Sequence, residues 1–184
     1  SAAWTSLAMI PNISSDSMRS VIEHLDPKNF SHTRLVGRTA NRILDLAKEI
    51  DRQTKEKYLA ETGQDTTHNG FDWSPENLQP AFSQLDNHLQ DMPFHAGEIY
   101  LQVLTAMLVA DFDFEKSLQF LVNYGRDNDT TAAIAGAILG AKTGFKSLPD
   151  QMKTQVLEVN KEQLGIDLVG LAEQMTGKIL ARYK

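Results

Sequence analysis

Gly125-Arg126-Asp127-Asn128-Asp129-Thr130-Thr131-Ala132-Ala133-Ile134-Ala135-Gly136-Ala137-Ile138-Leu139-Gly140-Ala141 is the stretch that decides how this chain reads. From Thr130 to Gly144 it is an alanine-rich helix, and Gly136, Gly140 and Gly144 fall four apart on one face of it. Glycine inside a helix costs ~1 kcal/mol relative to alanine, so such a face predicts a second helix approaching closely. Gly125 to Asp129 reads as a short loop. Its two carboxylates at i and i+2, followed by hydroxyls, make a hard oxygen cluster suited to Mg²⁺, Mn²⁺ or Ca²⁺ and poorly suited to zinc. An EF-hand is excluded, because counting from Asp127 the sixth position is Ala132 and the twelfth is Ile138, where glycine and glutamate are required. A plainer reading is that Asp129 caps the alanine-rich helix and Asp127 is solvated, since helix starts favour acidic side chains and their dipole disfavours a cation. Spacing alone leaves both open.

Working outward, strand-like alternation is nowhere sustained, while apolar residues recur at three- and four-residue spacing in most segments, which predicts an all-α protein. Upstream, Asp113 is the expected cap of a helix that turns Phe114, Leu118, Leu121 and Val122 to the core and stops at Gly125. Before it, His95 to Ala110 carries Ile99, Leu101, Val103, Leu104, Met107 and Leu108 so densely that burial on more than one side is expected. A helix over about Glu76 to Gln90 precedes that one. The segment Glu61–Pro80 reads as a long loop, open to substrate contact or simply pinned by Phe71 and Trp73. Toward the N-terminus a long helix capped by Ser31 places Leu35, Thr39, Ile43, Ala47 and Ile50 in one stripe that weakens toward Tyr58 and Leu59. A short helix turns Met18, Val21, Ile22 and Leu25 inward. Downstream, Pro149 sits in the first turn of another helix, where its missing donor is harmless. The last helix, Asp167 to Tyr183, is expected to bury Leu168, Leu171, Ala172, Met175 and Ile179.

Composition narrows the function classes. The 184 residues suffice for one globular domain, and 41% hydrophobic with 23% charged content is ordinary. Net charge is −6 and basic residues are scattered singly, so the electrostatic footprint of a nucleic-acid binder is missing. The longest nearly apolar run, Ala132–Ala141, has ten residues, about half of the roughly 20 that span a bilayer, so no transmembrane helix is expected. There is no cysteine, which removes disulfides, zinc–thiolate sites and a cysteine nucleophile, but names no compartment; a soluble, cytoplasmic rather than periplasmic protein is the expectation. The histidines, His24, His32, His68, His88 and His95, are widely spaced and form no metal-binding pair.

Asp113-Phe114-Glu115-Lys116-Ser117-Leu118, Val122-Asn123-Tyr124-Gly125-Arg126-Asp127-Asn128-Asp129-Thr130 and Ala132 to Ala141 together resemble the C-terminal signature of the ADP-ribosylglycohydrolase family. The likeness is strong over about 112–149 and collinear but weaker back to Ala2. The resemblance implies an all-helical, orthogonal multi-helix bundle, of which residues 1–184 would form a single C-terminal portion. It implies a pair of Mg²⁺ ions, or Mn²⁺, beside an ADP-ribose cleft, with Asp127, Asp129 and Thr130 as metal ligands. The implied activity is cleavage of the glycosidic bond between ADP-ribose and a protein side chain or small acceptor, and the alternative is a non-catalytic, ADP-ribose-binding or structural member of the same fold.

Two departures bear on this. The family commonly has two glycines before the first aspartate where this chain has Gly125-Arg126, so Arg126 is expected to pair with a local carboxylate in preference to a phosphate. The family's glycine-rich opening and threonine-aspartate-aspartate metal motif are not among these residues. No catalytic carboxylate is therefore nominated. The chain is expected to be a piece that begins inside the domain, to need the N-terminal part of the same protein as partner, and to be inactive alone. His95 with Glu98 opens the central helix and could face the cleft, though a plain helix-start role is favoured, and Phe71, Trp73 and Tyr100, which could stack on adenine, are read as core or loop anchors.

Overall fold

The structure, a computed structural model, describes residues 2–25, 39–64, 66, 70–92 and 94–182, without the side chains of 2, 22–25 and 39–41. Among these it contains nine α-helices and no strand, which is the all-α architecture expected. They are α1 (Ala2–Ala8), α2 (Ser15–Leu25), α3 (Thr39–Thr62), α4 (Pro75–Asp86), α5 (Ala96–Val109), α6 (Phe114–Tyr124), α7 (Asn128–Thr143), α8 (Asp150–Gln163) and α9 (Leu168–Arg182). No helix among the described residues is long and apolar enough to cross a membrane. The expected cap Ser31, Leu35, His32 and His68 lie outside the described residues, as do the side chains of Ile22, His24, Leu25 and Thr39. Two compact units result, one to Thr143 and one from Gly144.

In the first unit α5 is central. Every residue from Leu101 to Ala110 is buried, because α3, α4, α6 and α7 all pack on it; a helix apolar on all sides has no face to give to water. Ile43 of α3 lies beside Gly97 and the Lys55 ammonium donates to the Leu108 carbonyl at 3.3 Å, so α3 and α5 run in the same direction. The return crossing is made by α4, which begins at Pro75, so the loop is shorter than expected and Pro80 lies inside a helix. The loop is pinned by aromatic contacts. Phe71 is buried between Tyr58 and Trp73, and the Tyr58 hydroxyl donates to the Gly70 carbonyl at 3.0 Å and accepts from the Asp72 amide at 3.1 Å.

The turn from α5 to α6 is strained. Asp111 and Phe112 have φ of 49° and 58°, a region that bulky L-residues rarely enter. Surrounding contacts hold them there. The Phe112 amide donates to the Met107 carbonyl at 2.7 Å, its ring is buried under the Arg19 guanidinium, and Arg19 pairs with Asp111 at 2.5 Å. Asp113 caps α6 as expected, accepting from the Lys116 amide. Phe120 and Leu121 enter the core, with Phe114 and Leu118 packed against it, but Val122 is exposed.

The glycine face of α7 meets that helix. A Cβ at Gly136 would lie 3.7 Å from Leu118 Cδ2 and one at Gly140 3.8 Å from Phe114 Cε2. Gly144 is not on this face. It follows the helix with φ of 78° and opens a single 3₁₀ turn, Phe145–Ser147.

In the second unit α8 packs on α9, and neither buries a residue. This corrects the expectation for the last helix. Leu168 is half-buried, Ala172 is exposed, and Leu171, Met175 and Ile179 are about half-exposed, because one neighbouring helix can cover only a narrow strip of an apolar face.

The Cβ distances on α7 are ordinary contacts, not clashes. Gly136→Ala and Gly140→Ala are expected to raise stability by ~0.5–1 kcal/mol through lost chain freedom in the unfolded state. Gly140→Leu should overpack Phe114 and lower stability by ~1–3 kcal/mol. Urea denaturation of the three variants checks both signs.

Candidate functional site

The aspartate-rich motif lies at the N-terminus of α7, which starts two residues earlier than expected. Asn128 is the first helical residue, and the Asp127 carbonyl accepts from the Thr131 amide at 3.1 Å. The carbonyl that takes the first intrahelical bond belongs to the N-cap residue, so Asp127 and not Asp129 holds that position. Asp129 and Thr130 lie in the first turn. The Thr131 hydroxyl also donates to the Asp127 carbonyl at 3.2 Å, which ties the loop to the helix from a buried position.

Among the described residues, no hydrogen bond or ion pair engages the side chains of Asp127, Asp129 or Thr130. Two carboxylates and a hydroxyl are a hard donor set that fits part of a Mg²⁺ or Mn²⁺ shell, which favours six oxygens. It is part only, since no group of three or more acidic, histidine or cysteine side chains that could hold a metal occurs among the described residues.

Arg126 takes the local role expected of it. Its Nε donates to Glu98 Oε1 at 2.9 Å and its Nη2 to the Gln90 carbonyl at 2.7 Å. Glu98 is 3% exposed and accepts twice more, from Gln102 Nε2 at 3.0 Å and from the Gln90 amide at 2.8 Å. Burial pushes this carboxyl up, but the Arg126 hydrogen bond and charge, with the Gln90 and Gln102 donors, outweigh it and hold Glu98 below the usual carboxylate range. In the sequence Glu98 stands out only as a companion of His95 at the helix start. The signal was a charged residue entering a helix that is otherwise apolar on all sides. His95 itself is the residue before α5, with no side-chain capping bond.

Beside this polar cluster lies an apolar cavity of about 260 Å³, walled by Trp4, Phe94, Ile99, Tyr100, Ile134 and Ile138 among others. Ile134 is four residues beyond Thr130 on α7, and residues at that spacing are neighbours on a helix surface. The cavity wall on α7 therefore begins one turn beyond the aspartate-bearing turn. Tyr100 takes part in this wall, whereas Phe71 and Trp73 anchor the loop as expected. Burial pushes the Tyr100 phenol up to about 12, so it stays protonated and uncharged at neutral pH.

The depressed Glu98 carboxyl has a signed consequence. A group whose folded pKa lies below its unfolded value, about 4.3 for glutamate, stabilises the fold above that pH and loses the contribution as pH falls through the folded value. Glu98→Gln should lower stability at pH 7 by ~1–3 kcal/mol, and the difference from wild type should shrink below about pH 4. Denaturant titrations at pH 7 and pH 3 measure it; an equal difference at both would remove the charge from the account.

The motif, the helix it opens and the helices around it are matched as one unit. The family model for ADP-ribosylglycohydrolase matches residues 2–183, covering all nine helices. No curated protein and no solved structure matches the chain. From the first helix to the last, the chain belongs to the ADP-ribosylglycohydrolase family.

Proposed function

We propose that the protein is a Mg²⁺-dependent hydrolase, Mn²⁺ substituting, that cleaves the glycosidic bond joining ADP-ribose to a protein side chain or small acceptor. The observation that carries this reading is the pair Asp127, at the N-cap, and Asp129, in the first turn, their carboxylates without hydrogen bonds to other described residues, on a helix whose next turn lines an apolar, aromatic cavity. Asp127, Asp129 and Thr130 would hold the cation as part of its shell, the remaining ligands coming from elsewhere in the protein. When bound, the cation supplies templating and electrostatic stabilisation of charge at the anomeric carbon. The chain's own contribution is placement. The carboxylates fix the cation against the end of α7, and the wall of Trp4, Tyr100 and Ile134 offers an uncharged surface to a flat part of the ligand while shedding water. The acid–base carboxylate is not assigned to any residue of this chain.

A non-catalytic member would keep the cation and the ligand but not the turnover, so the same experiment separates the two readings. The full-length protein is expected to release ADP-ribose from a modified protein or small conjugate in millimolar Mg²⁺, and to stop on chelation. Asp127→Asn and Asp129→Asn should each lower kcat by ~100-fold or more, since even the outer partners of a metal site cost 10–100-fold. Binding of ADP-ribose without release would identify a binding protein. Turnover unaffected by Asp129→Asn would remove these residues from the site.

A further inference from the structure

Gly125 and Arg126 stand at φ of 85° and 59°, two left-handed residues in succession immediately before Asp127. For Gly125 this conformation is free; a residue with a Cβ is penalised there by about 1–2 kcal/mol. Something must hold Arg126 in place, and its side chain shows what does. It bonds Glu98 on α5 and the Gln90 carbonyl in the segment between α4 and α5. The Glu98 carboxylate in turn gathers donors from three separate parts of the chain: Gln90, Gln102 and Arg126. The Glu98 side chain is 2% exposed and that of Arg126 28% exposed, so the carboxylate end of the pair is shielded from competing water.

The backbone that this pair constrains leads directly into the aspartates. Asp127 is tied to α7 through its carbonyl, by the Thr131 amide and hydroxyl. On its other side it is fixed by the conformation of residue 126. Asp129 is carried by the helix alone. If residue 126 relaxed to an ordinary right-handed or extended conformation, the chain direction entering Asp127 would change while Asp129 stayed where the helix puts it.

We propose that Glu98 is a positioning residue for the cation site: through Arg126 it holds residue 126 left-handed and thereby sets the direction in which the chain enters Asp127 at the end of α7. The inference rests on the cation reading given above. It assigns a job to a buried carboxylate that touches neither substrate nor metal, and it gives a physical sense to arginine at this position. Where glycine can adopt the conformation but does not enforce it, arginine with its buried partner enforces it.

The test is Mn²⁺ affinity of the full-length protein, measured calorimetrically and by the electron paramagnetic resonance of free Mn²⁺, well below the melting temperature of each variant. Variants are Glu98→Gln, Arg126→Ala, Arg126→Gly and, as a control, Asp129→Asn. Glu98→Gln and Arg126→Ala are expected to weaken Mn²⁺ binding by ~10–100-fold, as outer partners of metal ligands do. Arg126→Gly should bind more tightly than Arg126→Ala by ~3-fold or more, because glycine enters positive φ without penalty. A purely structural role for the arginine would give the two variants the same affinity. Wild-type affinity in Glu98→Gln and Arg126→Ala alongside loss in Asp129→Asn would overturn the positioning role and leave the cation reading standing. Equal affinity of Arg126→Gly and Arg126→Ala would also overturn it. Absence of Mn²⁺ binding in the wild type, or its survival in Asp129→Asn, would sink the cation reading and this inference with it. Should Glu98→Gln fail to fold, the alanine–glycine comparison at Arg126 decides alone.

Discussion

Burial of α5 on every side is the constraint on which the rest of the first unit depends. Each fully buried leucine or methionine along it contributes ~1.5–3 kcal/mol, and Leu104, Met107 and Leu108 are all enclosed. Such a helix must be surrounded, so α3, α4, α6 and α7 are arranged around it. The same enclosure penalises every polar group that α5 carries inward. Glu98 meets that demand with three donors. The Thr105 hydroxyl, also fully buried, finds no hydrogen-bond partner among the described residues, and packing around it has to outweigh the desolvation.

That demand links core and site. A buried carboxylate without a cation would be neutralised or expelled, so the position of Glu98 near the start of α5 calls for a positive partner. The turn between α6 and α7 supplies it through Arg126. The ion pair that satisfies the core is therefore the same one that fixes the loop in front of Asp127. Stability and site geometry are set here by one interaction, and a change to either partner reaches both.

Strain is distributed in the same way. Both turns flanking α6 contain non-glycine residues at positive φ, Asp111 and Phe112 before it and Arg126 after it. Each is held by an arginine–carboxylate pair, Arg19–Asp111 at 2.5 Å and Arg126–Glu98 at 2.9 Å. An ion pair that is partly shielded from water can compensate a local backbone penalty of about 1–3 kcal/mol. α6 is in this sense clamped at both ends, and α7 packs on it through Gly136 and Gly140.

The helical class, the burial of α5, the Asp113 cap and the glycine face of α7 were legible in the residues, because each depends on local periodicity or on chemistry within one turn of helix. So was the location of the aspartate motif, since carboxylates at i and i+2 before a helix are a local pattern. Tertiary structure decided what periodicity cannot. An apolar stripe says which face wants a partner but not whether one arrives, so Leu171, Met175 and Ile179 lie about half-exposed on a helix whose sequence predicts burial. The capping position lies at Asp127 in place of Asp129, and Arg126 just before it is left-handed and bonded to a carboxylate 28 residues away in sequence, a partner no local pattern names. The cavity beside the motif draws its walls from α1, α5 and α7. Residues that distant in sequence are brought together only by the packing of whole helices, and no local pattern records it.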